Sequence, residues 1–113
     1  MTVVLVNTLL PASTALYSLA PGVAACETIR EDIPEASLKW INDVHVGGRK
    51  ICGILVETMR GAASKEEYIL LGIGINVNNE QFPRELADVA VYYKQLFDLE
   101  TEINRLAVRF LTQ

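Results

Sequence analysis

Histidine is almost missing from this chain of 113 residues: His45 is the only one. One imidazole cannot build a multi-histidine metal site, and it leaves a Ser–His–Asp triad no alternative base. Cysteine is nearly as scarce. Cys26 and Cys52 show neither a CxxC pattern nor metal-ligand spacing, and they read as buried free thiols in a reducing cytosol. There is no block of basic residues and the net charge is −4, so nucleic-acid binding through phosphate neutralisation is not expected. No charged side chain occurs before Glu27. Val23-Ala24-Ala25-Cys26 has the look of a lipoprotein cleavage box, yet no Lys or Arg precedes it. Pro11 and Pro21 interrupt the apolar run, and Asn7, Thr8, Ser13 and Thr14 are polar. Export and membrane insertion are therefore not expected, and the chain reads as cytoplasmic. Repeats, low-complexity tracts and linkers are also absent.

Half of the residues are apolar. A chain of this length buries roughly two thirds of its unfolded surface, enough for one core in one domain. Thr2 to Leu10 is a valine-rich run, read as a strand covered on both faces. Ser13 is placed to cap a mostly buried helix reaching Glu31, although Pro21 either kinks it or marks its true first turn. Leu38 to Trp40 and Val44 to Val46 are short strands separated by the turn residues Asn42-Asp43. Gly47-Gly48 is a two-residue hairpin turn leading into a return strand from Lys50 to Met59. Glu67 to Val77 then pairs back on that strand. From Pro83 the pattern turns helical, with Leu86, Val89 and Ala90 on one face. Thr101 can cap a last helix with Ile103, Leu106, Ala107 and Phe110 at core spacing. The fold class is α+β: a mixed, largely antiparallel sheet with helices packed on it.

Three stretches carry possible chemistry. In Lys39-Trp40-Ile41-Asn42-Asp43, the Asn42 amide can read an adenine edge or fix a turn, and Trp40 is a core or interface anchor. In Lys50-Ile51-Cys52-Gly53-Ile54-Leu55, the lysine can set a point charge over a carboxylate or phosphate, or simply be solvated at a strand end. Gly53 inside a strand marks a bulge or a close approach. A ligand there could bond the backbone of Gly53 and Leu55 directly. Gly72-Ile73-Gly74-Ile75-Asn76 is no dinucleotide fingerprint, because residue 77 is Val and no glycine closes the pattern. It reads as a strand with two side-chain-free positions facing a pocket, or as close packing of a helix on the sheet. His45 alternates with Val44 and Val46 and is expected on the surface.

Taken together, in this order and spacing, these stretches resemble the catalytic domain of the biotin protein ligase family. That family shows Lys-Trp-Pro-Asn-Asp, then a lysine followed by Ala-Gly-Ile-Leu, then Gly-Ile-Gly-Ile-Asn. Ile41 stands where the family has proline, and Cys52 where it has alanine. The resemblance covers most of the chain, and it implies a partial catalytic domain over 1–113 with the class II synthetase-like fold. It implies two-step transfer of biotin through biotinyl-AMP to a lysine of a biotin carboxyl carrier protein, with ATP and Mg²⁺, or lipoate in place of biotin. Lys50 would sit between the biotin carboxylate and the phosphate. Gly53 and Leu55 would hold the biotin head group, and Asn42 and Asn76 would face the adenine. Lys39 and Asp43 would support that site, with no metal ligand on the protein. The family's Ser/Thr-containing strand, its glycine-arginine loop and its small C-terminal barrel have no counterpart in these residues. The expectation is thus half of a ligand site, completed by an upstream half in trans or paired as a homodimer. The alternative is a non-catalytic remnant that binds weakly or only dimerises.

Overall fold

The computed structural model describes residues 1–6, 14–63, 66–98 and 100–113. Strand β1 (Thr2–Val6) leads to helix α1 (Thr14–Arg30), then to β2 (Ser37–Lys39), β3 (Asp43–Val46), β4 (Arg49–Arg60) and β5 (Glu67–Ile75). A single 3₁₀ turn (Arg84–Leu86), the short helix α2 (Tyr93–Phe97) and helix α3 (Ile103–Thr112) complete the order. The five strands form one sheet, β1-β5-β4-β3-β2, and every adjacent pair is antiparallel. This is the α+β architecture that the sequence pattern predicts.

Alternation builds the core. Val44 pairs with Cys52, Cys52 with Ile75, Ile54 with Ile73 and Val56 with Leu71, so these side chains share one face of the sheet. Helix α1 covers that face with Ala25, Cys26 and Ile29, all buried. At Gly22 the helix comes close to the sheet. A Cβ there would stand 3.2 Å from Leu38 Cδ1 and 3.4 Å from the Ile41 carbonyl oxygen. Thr28 is fully buried, and its hydroxyl donates to the Ala24 carbonyl at 2.8 Å, so no buried polar group is left unpaired there. Helix α1 runs through Pro21 rather than starting at it. Helix α3 buries Leu106 and Phe110, and Arg109 binds it to the end of α1 through Asp32 and Glu31.

Several expectations are corrected. The β1 strand is an edge strand, not one covered on both faces: Val4, Leu5 and Val6 are exposed, since valine content reports strand preference rather than cover. Residues 7–10 of that expected strand, and the Ser13 cap, lie outside the described residues. The helix expected from Pro83 is only the 3₁₀ turn, with Leu86 and Val89 exposed. The following backbone bonds to β4 instead. The Lys50 amide donates to the Val89 carbonyl (2.8 Å) and the Val91 amide to the Lys50 carbonyl (2.9 Å). Strand β5 ends at Ile75 rather than Val77: the Asn76 amide makes the last ladder bond, to the Ile51 carbonyl (2.8 Å), and at Lys50 the backbone of 89–91 takes over the pairing. Thr101 does not cap α3. Asn78 grips it instead, accepting from the Thr101 amide (3.0 Å) and donating to its carbonyl (2.9 Å). Ile103, expected in the core, is exposed. Trp40 is 71% exposed and therefore no core anchor.

Candidate ligand-binding site

Among the described residues, the face of the sheet turned away from α1 has little cover, and its residues differ in kind. Asp43 on β3 pairs with Gly53 on β4, and Gly53 with Gly74 on β5. One step along, Leu55 pairs with Gly72, and Gly72 with Thr2. Paired residues share a face, so Gly53, Gly72 and Gly74 lay a stretch of bare backbone between Asp43 and Leu55. A hollow of about 500 Å³ opens over it, lined by Met1, Asn42, Asp43, Lys50, Gly53 and Leu55 together with 72–74. That volume is in the range of a small-molecule site.

Strict alternation would put Lys50 on the core face with Cys52 and Ile54. A bulge prevents it. Val44 pairs with Cys52, but the next residue of β3, His45, pairs with Lys50, so Ile51 is the extra residue. Lys50 thereby joins the face of Asp43 and reaches back along its own strand. A Cβ on Gly53 would lie 2.8 Å from both Lys50 Cε and Nζ, and 3.4 Å from Asp43 Oδ1. The ammonium pairs with Asp43 at 2.7 Å while the lysine side chain stays 45% exposed. A half-exposed pair of this kind contributes only about 0–1 kcal/mol to stability. The charge is thus held in place yet open to a ligand.

The remaining expected site residues divide. Asn42 lines the hollow, and its Nδ2 donates to the Ile54 carbonyl at 2.7 Å while its own carbonyl accepts from the Ile54 amide at 2.9 Å. This clamps the Asn-Asp turn to β4. Lys39 pairs across from Asp43 at the outer end of the row and does not line the hollow. Asn76 also lies outside the lining, with Nδ2 directed at the Val91 carbonyl (3.2 Å) and the Lys50 carbonyl (3.5 Å). His45 points away from the core face as alternation predicts, but it is half-buried, and its Nδ1 lies 3.1 Å from the Gly48 carbonyl. The carbonyl makes that nitrogen the donor.

Cys52 lies under the site floor on the core side. Burial foremost, then the Asp43 charge, pushes its thiol up to about 12, and the nearby Lys50 offsets this only in part. It stays protonated at neutral pH and is no nucleophile. Among the described residues no three His, Cys, Asp or Glu side chains gather to hold a metal. A second hollow of about 540 Å³ lies beside α3, lined by Asp32, Tyr93 and Arg109 among others, and shares no residue with the first. No described helix is long and apolar enough to cross a membrane.

The chain is similar to several known proteins. Residues 1–76 match the family described as biotin/lipoate A/B protein ligase. The bifunctional ligase/repressor BirA of Bacillus spizizenii is 37% identical over 83 residues, 72% of this chain and 24% of that protein. The biotin–[acetyl-CoA-carboxylase] ligase of Mycobacterium tuberculosis is 34% identical over 100 residues, 85% of this chain and 35% of that protein. The biotin protein ligase of Aquifex aeolicus, solved with biotin and ATP, superimposes with a TM-score of 0.80 at 26% identity. It covers 98% of this chain and 45% of its own. The chain therefore spans about a quarter to a third of those two sequence relatives, and under half of that solved structure.

Proposed function

The chain belongs to the biotin/lipoate A/B protein ligase family, and from that membership we propose that it serves ATP-dependent attachment of biotin to a lysine of a biotin carboxyl carrier protein. The observation that carries this reading is the Lys50 ammonium, paired with Asp43 and lying over the bare backbone of Gly53. In the first step a biotin carboxylate oxygen attacks the α-phosphorus of ATP. The bond from that phosphorus to the bridging oxygen breaks, and pyrophosphate leaves with the electron pair. In the second step the acceptor amine attacks the acyl carbon of biotinyl-AMP. AMP leaves, and the amine gives up its proton to solvent. Negative charge gathers on carboxylate and phosphate oxygens in both steps, so a fixed cation between them is the largest contribution a protein makes.

In this reading Lys50 supplies that cation, and Gly53 and Leu55 offer backbone groups to the biotin head group. Asn42 and Asn76 stand on the adenine side. Each spends its Nδ2 on the protein backbone, which leaves Oδ1 as the atom that would accept from the base. Asp43 and Lys39 support the same side. Among the described residues, the only carboxylate lining the hollow is Asp43, already paired with Lys50. That donor set makes no protein-borne Mg²⁺ site, and the ion that accompanies ATP belongs to its phosphates.

Residues 1–113 then act as one partial catalytic domain in the cytoplasm, with an upstream half supplied by another polypeptide or a second copy as partner. A second reading, a non-catalytic binding or pairing module, draws support from the exposed Val4 and Val6 on the edge strand β1. Incubation with biotin, ATP and Mg²⁺ separates the two. Biotinyl-AMP formed by the chain, alone or with an added upstream half, and reduced about 10²–10³-fold by Lys50→Ala, supports the ligase. No product under either condition, with no calorimetric heat on adding biotin, removes it.

A further inference from the structure

We infer that Asn76 is a positioning residue for Lys50, acting through a backbone strap that takes the place of β5 where that strand ends. Strand β4 pairs with β5 only as far as Cys52 opposite Ile75. At Lys50 the neighbouring slot is filled by residues 89–91. Ala90 pairs with Lys50 in a parallel bridge, and both backbone polar groups of Lys50 bond to the strap, its amide to Val89 and its carbonyl to Val91. Asn76 stands at the junction. Its amide donates to Ile51, its carbonyl accepts from Tyr93 at 3.1 Å, and its side chain donates to Val91 at 3.2 Å and, at the long limit of 3.5 Å, to Lys50 itself.

The bonds made by the Asn76 amide and side chain fall on the site lysine, on the residue after it or on the strap that pairs with it. The bulge at Ile51 breaks the alternation that would otherwise set the direction of the Lys50 side chain, so the backbone at residue 50 decides where the ammonium points. Asn78, two residues on, shows what a merely structural asparagine looks like here. It makes two comparable bonds to Thr101 and none to Lys50. The pair supplies an internal control.

The positioning role rests on the ligase reading for its purpose but not for its measurement. The four lysines, Lys39, Lys50, Lys65 and Lys94, can be reductively ¹³C-methylated, with Lys50→Arg to assign the Lys50 resonance. Asn76→Ala is expected to move that resonance toward its position in the unfolded chain, leaving the Lys39 and Lys94 signals unmoved. Asn78→Ala is expected to lower Tm without moving the Lys50 signal. If the unaltered chain forms biotinyl-AMP, Asn76→Ala lowers kcat about a hundredfold while KM for biotin changes little, as a misplaced charge would. Asn78→Ala leaves both constants unchanged. A Lys50 signal unmoved by Asn76→Ala, or moved equally by Asn78→Ala, overturns the inference. Absence of any biotinyl-AMP strikes at the ligase reading instead and leaves the spectroscopic contrast to decide this one. Should Asn76→Ala not fold, amide exchange in the unaltered chain decides. Lys50 and Val91 amides as slow as those of β4 at Ile54 support the strap, and exchange at turn-like rates overturns it.

Discussion

Across β3, β4 and β5, the residues turned to α1 are Val44, Cys52, Ile54, Leu71 and Ile73, all buried. Their alternates on the opposite face are Asp43, Gly53, Leu55, Gly72 and Gly74, and Leu55 is 62% exposed. The same strands thus carry the packing on one set of residues and the bare, charged floor on the other. Because neighbours in sequence serve different faces, stability and binding can be altered almost independently. The largest expected effect lies on the packed face. Ile54 is 3% exposed, and its Cδ1 faces Gly22 on α1. Ile54→Ala should cost about 2–5 kcal/mol through lost burial and the cavity left behind. Urea unfolding measures this, and a cost below 1 kcal/mol would mean that α1 does not rest on β4 as described.

Cys52 sharpens the same contrast through pH. Burial lifts its thiol from an ordinary 9.0 to about 12, so the folded chain keeps this proton longer than the unfolded chain does. Its contribution is whole below about 9 and is lost as pH climbs toward 12, at about 1.4 kcal/mol per pH unit for one proton. Tyr93 is shifted in the same direction, chiefly by burial and then by Asp32. Cys52→Ala should flatten part of the alkaline loss seen in denaturant midpoints between pH 9 and 11. An unchanged slope would put the thiol in contact with solvent.

Much of this was legible in the chain because it rests on local chemistry. Gly47 and Gly48 have φ of 56° and 77°, and a two-residue turn that needs such angles is readable from the glycines alone. The meeting of Asn42, Asp43, Gly53 and Leu55 over one hollow follows once that hairpin sets β3 beside β4. What stayed hidden is non-local. No sequence pattern marks Ile51 as the bulged residue, and period-two alternation would send Lys50 to the wrong side. The strap at 89–91 is held by backbone bonds to a strand about forty residues earlier. Its side chains read as a helical face because nothing in their spacing records that pairing. Asn76 and Asn78 look alike in the sequence, and only the structure separates the one that bonds to Lys50 from the one that holds Thr101.

A smaller effect is expected at Tyr93. Tyr93 is 1% exposed and packs near Phe97, with ring centroids 5.9 Å apart, but its buried hydroxyl has no hydrogen-bond partner among the described residues. A polar group left that way costs about 1–3 kcal/mol. Tyr93→Phe keeps the ring and removes the hydroxyl, so it should raise stability by about 1 kcal/mol. A thermal melt reports it, and a loss of that size would show that the hydroxyl is bonded.

The smallest change in stability should come from the floor itself, where two glycines of one pair make opposite demands. A Cβ at Gly74 meets only the Gly53 carbonyl oxygen, at an ordinary 3.7 Å, and its φ is not left-handed. Gly74→Ala should therefore fold normally and gain about 0.4–1 kcal/mol by restricting the unfolded chain. A Cβ at Gly53 meets the end of the Lys50 side chain at 2.8 Å, so Gly53→Ala must push the ammonium off Asp43. That displacement is cheap, because the lysine tip is flexible and half-exposed. Calorimetry with biotin should then distinguish two losses. In Gly53→Ala binding falls because the charge has moved. In Gly74→Ala it falls only if the ligand lies directly on the bare backbone, with Lys50 still paired to Asp43. Unchanged binding in the Gly74 variant would confine the ligand to the β3–β4 side of the hollow, and unchanged binding in both would remove the site from this face.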